Sequence, residues 1–140
     1  MTKLTDIDTA PKPKFDLSDL DASDSAETGR ELKLEHPDTG ELLGISIILR
    51  GSESDTFKRA FRAQVNKRMR QKQNKTTMEE IEAESVEMLA ACTVSWSGIV
   101  LDGKDYPYSR ANAVNLYSRF GWIKRAVDAF VNDEANFRRD

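Results

Sequence analysis

Gly98-Ile99-Val100-Leu101-Asp102-Gly103-Lys104 sets a lysine directly behind two glycines with four residues between them. That is the spacing of a phosphate-cradling loop. The next residue is Asp105, where such a loop needs a Ser or Thr hydroxyl for magnesium. Ile99, Val100 and Leu101 favour a strand, and Tyr106-Pro107 blocks a helix from starting at the lysine. No helix N-terminus would then face the phosphate, so the segment reads as a hairpin. The chain has one His, His36, and one Cys, Cys92. A structural zinc site needs four such ligands, and an intrachain disulfide needs two cysteines. Cys92 falls on the inner face of an expected helix, where a small buried hydrophobe is the ordinary role. Carboxylates are plentiful but unpaired by any spacing. The expectation is a non-enzymatic protein with no cofactor and no metal.

A second chemistry is electrostatic. From Lys58 to Lys75 there are eight bases (Lys58, Arg59, Arg62, Lys67, Arg68, Arg70, Lys72, Lys75) and no acid. A helix of that charge suits phosphates. The segment behind it carries five acids between Glu79 and Glu87 and no base. Helices joined by a short connection pack antiparallel, which sets base against acid. Charge matching within the chain or between copies is therefore expected first, a plain solvated face second and nucleic-acid contact third.

These groups need elements to position them. Residues 1–30 hold seven acids and four bases among Ser, Thr and Pro, and read as a disordered acidic tail. Phe15, Leu17 and Leu20, interleaved with acids, are its one segment suited to docking on a partner. A single domain is expected over 31–140. Leu32 and Leu34 alternate with charge, Pro37-Asp38-Thr39-Gly40 is turn chemistry, and Leu42–Leu49 is apolar. The reading is a β-hairpin over 31–36 and 42–50. Phe57, Phe61, Val65 and Met69 recur every fourth residue in a helix over 55–73, capped by Ser54 or Asp55. Thr77 caps a second helix ending near Val94, its inner face formed by Met78, Ile81, Ser85, Met88, Leu89 and Cys92. A strand over Trp96–Leu101 turns at Asp102-Gly103 into a return strand over Lys104–Tyr108. Ser109 caps a C-terminal helical region that Gly121 breaks. The fold class is α+β and helix-dominated.

Eight of the eleven aromatics lie at or beyond Trp96. Most suit a core, while Trp96, Trp122 and Phe130 are candidate anchors for a partner. Met69, Met78 and Met88 are candidate adaptable contacts, and Lys58, Arg62 and Arg68 candidate charged ones. No apolar run approaches the length needed to span a bilayer, and no signal peptide is evident. A cytoplasmic setting is the default.

The run Leu89-Ala-Ala-Cys-Thr-Val-Ser-Trp96-Ser-Gly98-Ile99 leads into a hairpin turning at Gly103. Tyr106-Pro-Tyr-Ser109, Asn112-Ala, Leu116-Tyr117, Trp122-Ile123, Val127-x-x-Phe130-Val131 and Asn136-Phe137 follow. With the upstream Leu32-x-Leu-x-His36-Pro-x-Thr-Gly40 and the basic helix, this pattern resembles tail assembly chaperones of long-tailed (siphovirus-type) bacteriophages. The resemblance extends over 31–140 and is strongest over 89–137. It implies an assembly factor in the host cytoplasm that binds the long helical tape measure protein and keeps it soluble. It also implies recruitment of tail tube protein, through a longer frameshifted form, and absence from the finished virion. Homo-oligomerisation is a further expectation. Two other readings stand beside it: a small nucleic-acid-binding protein using residues 58–75, and a structural neck or head-completion component of the virion.

Overall fold

The computed structural model describes residues 14–71 and 76–138. Two antiparallel strands, β1 (Arg30–Glu35) and β2 (Leu42–Leu49), form the expected hairpin. The His36–Gly40 turn is closed by His36 N–H donating to the Glu41 carbonyl at 2.7 Å and by His36 Nδ1 accepting from the Asp38 N–H at 3.1 Å. Ile47 and Leu49 of β2 and Leu34 of β1 are buried.

Ser54 caps α2 (Asp55–Arg70) by accepting from the Phe57 N–H at 3.0 Å. Thr77 caps α3 (Met78–Cys92) reciprocally with Glu80, whose N–H donates to the Thr77 hydroxyl at 3.1 Å while the Thr77 N–H donates to its carboxylate at 2.9 Å. At Cys92 the chain passes directly into β3 (Thr93–Ser97), which pairs antiparallel with β2. The sheet is three-stranded in the order β1-β2-β3. β4 (Val100–Leu101) and β5 (Lys104–Asp105) form a separate two-stranded sheet. Asp102 and Gly103 both have positive φ, 52° and 80°, as a tight two-residue hairpin requires. Ser109 caps α4 (Arg110–Arg119), and Phe120 ends it and begins α5 (Gly121–Asn132). The helices α3, α4 and α5 close over one face of the sheet around Leu34, Ile47, Leu49, Leu89, Leu116 and Val127. The α+β, helix-dominated class is as expected.

Two strand expectations are corrected. The strand over Trp96–Leu101 is split: Gly98, at φ +83°, ends the three-stranded sheet, and only Val100–Leu101 enters the small hairpin. A Cβ on Gly98 would sit 2.1 Å from the Gly44 carbonyl oxygen, so β2 and β3 approach there as only a glycine at position 98 permits. The return strand covers Lys104–Asp105 instead of reaching Tyr108, because Pro107 has no N–H for a ladder.

The described part of the acidic tail is structured. A 3₁₀ turn at Leu17–Leu20 leads into α1 (Ser23–Thr28), whose Ala26 is fully buried. Ala22, Ala26 and Phe137 form a second small core. The Gly51 N–H donates to the Ala26 carbonyl at 3.0 Å, and the Ser52 N–H to the Val131 carbonyl at 3.0 Å. The tail is thus held by the opposite end of the chain, through small residues that leave no apolar run in the sequence. The rest of the expected disordered segment, residues 1–13, lies outside the described residues, as do Lys72 and Lys75 of the basic run.

Candidate partner-binding face

The helix α2 has sixteen residues and none is buried. Its four-residue apolar repeat puts one apolar side chain on each turn. That stripe is too narrow to bury a helix on two sides. Phe57 is half-buried at the edge of the main core. Phe61, Val65 and Met69 are exposed, Met69 at 76%. An open groove of about 360 Å³ lies along the outer side, lined by Ser52, Phe57, Lys58, Phe61, Arg62 and Val65. A second cleft runs between α2, α3 and α5, where Phe57, Phe61, Ile81, Met88 and Leu89 meet Gln64 and Arg68.

Beyond Phe57, what holds α2 in place is polar. Glu27 of α1 reaches its first turn and accepts from the Thr56 N–H at 2.9 Å and the Thr56 hydroxyl at 2.7 Å. Arg50 lies 3.3 Å from the same carboxylate. The backbone hydrogen bond from Thr56 leads the effects that draw the Glu27 carboxyl below its usual range. A carboxylate here also complements the helix dipole. At the far end Arg68 forms a hydrogen-bonded ion pair with Glu84 of α3, and the Gln64 amide donates to the Glu84 carbonyl at 2.8 Å. The Arg68 hydrogen bond is the main cause of the lowered Glu84 carboxyl pKa.

The expected charge matching between the two helices therefore rests on this one ion pair among the described residues. Other acids of α3 turn to different helices: Glu82 to Lys124 of α5 at 2.7 Å, and Glu87 to Arg110 of α4 at 3.4 Å. Lys58 pairs at 3.7 Å with Glu53, next to its own helix. Arg62 and Arg70 make no ion pair with a described residue.

The candidate residues separate into two groups. Lys58, Arg62, Arg68 and Met69 share α2, and Met78 lies exposed at the start of α3. Met88 is buried. Trp96 is held inside the chain: its indole N–H donates to the Tyr106 carbonyl at 2.8 Å, and its ring stacks on Tyr106 and meets Tyr108 edge-on at 5.3 Å. Phe130 packs edge-on against Phe137 with centroids 5.5 Å apart. Trp122 is half-buried beside Arg125 in a cleft along β1, a free sheet edge. Met78 and Ile81, expected on the inner face of α3, are exposed, because the burying face begins only at Val86. The chain matches no protein-family model, no curated protein and no solved structure in comparison with each. The chemistry of this face therefore rests on its own geometry.

Conventional reactive groups are quiet. Burial pushes the Cys92 thiol up to about 12, so it holds no thiolate at neutral pH. Among the described residues no cluster of His, Cys, Asp and Glu could hold a metal ion. Among them, too, no helix is long and apolar enough to cross a membrane.

Proposed function

We propose that this chain is a tail assembly chaperone of a long-tailed bacteriophage, binding the helical tape measure protein before the tail tube forms. The observation that carries the reading is α2, a helix with no buried residue that displays Phe61, Val65 and Met69 between bases. A holdase for long amphipathic helices needs an apolar surface that remains open in the folded protein. Anchors at i, i+4 and i+8 match the apolar spacing of a helical client laid alongside. Each side chain covered removes apolar surface worth roughly 1.5–3 kcal/mol when fully buried. The bases at the rim would select acidic flanks and speed encounter without tying the site to one sequence. The resemblance over 31–140 supplies the client, and the frameshifted longer form and the tube protein follow from that resemblance alone.

The test is co-expression with the tape measure protein of the same phage. The expected result is a soluble complex, lost on Phe61→Ser/Val65→Ser/Met69→Ser, whose three sites are exposed and leave the fold intact. A tape measure protein that stays insoluble beside the native chain would overturn the reading.

A nucleic-acid-binding role draws on the unpaired state of Arg62 and Arg70. It predicts salt-dependent retardation of DNA or RNA, and no retardation at low salt would remove it.

A further inference from the structure

We propose that the protein self-associates as a two-fold dimer in which the Phe15–Asp21 segment of each copy docks on the outer face of α2 of the other. This inference concerns the free protein and does not rest on the client reading; the two share Phe61 and Val65, so a client would have to displace the docked segment.

The segment is preformed. Asp16 accepts from the Ser18 N–H at 3.0 Å and the Ser18 hydroxyl at 2.8 Å, and so starts the 3₁₀ turn at Leu17–Leu20. Residues three apart eclipse in such a turn, so Leu17 and Leu20 line one edge. Phe15 precedes them, Asp16 and Asp19 stand between, and Asp21 follows. Phe15 and Leu17 are 74% and 77% exposed, and Leu20 is 50% exposed. The turn leads into α1, which Phe137 pins through Ala22 and Ala26. The segment therefore projects from a fixed point and loses little freedom on docking.

The receiving surface is the complement. The α2 groove offers Phe61 and Val65 between Lys58 and Arg62, and no acid occurs from 56 to 71. Acidic and apolar on one surface, basic and apolar on the other, the two match in both respects. They do not meet within one chain: residues 14–20 are all exposed, and so are Phe61 and Val65. Each copy carries both halves, so reciprocal docking about a two-fold axis closes the assembly.

Sedimentation velocity on the full chain over a range of concentrations tests this. The expected result is a concentration-dependent species of twice the 15.8 kDa chain mass, weakened by salt. Leu17→Ser/Leu20→Ser is expected to weaken the dimer about ten-fold or more, since two exposed anchors are lost. Arg62→Glu weakens it as well, and adding Asp19→Lys to Arg62→Glu restores part of the loss. All four positions are exposed, and far-ultraviolet circular dichroism confirms that the variants fold. A strict monomer at every concentration overturns the proposal, and so does a dimer indifferent to the Leu17 and Leu20 changes. A monomer whose α2 amide exchange responds to those changes would place the segment on its own helix and overturn it equally.

Discussion

Thr93 is where one buried hydroxyl group organises three elements. Its Oγ1 donates to the Leu89 carbonyl at 2.9 Å and lies 2.7 Å from the Tyr117 hydroxyl. The Thr93 proton is already committed to Leu89, so Tyr117 is the donor in the second bond. The Tyr108 hydroxyl donates to the Thr93 carbonyl at 2.9 Å. Thr93→Val strands a buried phenol donor and is expected to cost about 1–3 kcal/mol. Tyr117→Phe removes the donor itself and should cost less than Thr93→Val. Chemical denaturation of the two variants checks the order; equal losses would refute the donor assignment. Glu27 gives the pH-dependent counterpart. Its folded pKa lies below the ordinary 4.5, so its contribution is complete above that value. It is lost as pH falls through the folded pKa. The side chain is 39% exposed, and solvent screening keeps the gain under about 1 kcal/mol. Glu27→Gln should therefore lower the denaturation midpoint at neutral pH, with the two curves converging in acid. A constant difference down to pH 2 (on the order of two units below the carboxylate range) would contradict this. Thr93 and Glu27 are ordinary in the sequence. The partner of Glu27 lies 29 positions away and that of Thr93 lies 24 away, beyond any local pattern.

Among the elements, the helices were legible because their starts are local chemistry. Ser54, Thr77 and Ser109 each accept a hydrogen bond from an N–H three residues on, and Phe120-Gly121 breaks the last helical stretch where expected. The first hairpin was equally legible from its turn. The strand after α3 was not. Its apolar run extends past Trp96, and only the third-strand pairing with β2 decides that it stops at Gly98. Gly98→Ala tests that junction. The left-handed φ and the Gly44 carbonyl 2.1 Å from the added Cβ together should cost more than about 2 kcal/mol. A variant with native thermal stability would show that the β2–β3 approach relaxes freely.

At the scale of the molecule, the first and last of the described segments hold each other. Phe137 is buried against Ala22 and Ala26, and its ring comes 2.7 Å from where a Gly51 Cβ would be. Phe137→Ala should open this second core and free α1 while the main core around Leu89 and Val127 persists. The expected signature is new proteolytic cleavage between 14 and 29 with amide protection of β2 and α3 retained. Global unfolding, or no new cleavage, would contradict a separable second core. What the sequence by itself determined is what local chemistry controls: helix caps, tight turns, the four-residue stripe of α2 and the segregation of charge. The direction in which that stripe points was a tertiary decision. Phe57, Phe61, Val65 and Met69 have the spacing of a core-facing helix, yet α3, α4 and α5 already cover the one apolar face of a small sheet. Phe57 alone of the stripe reaches the edge of that core; beyond it α2 is tied down through Glu27, Arg68 and Gln64, and Phe61, Val65 and Met69 stay exposed.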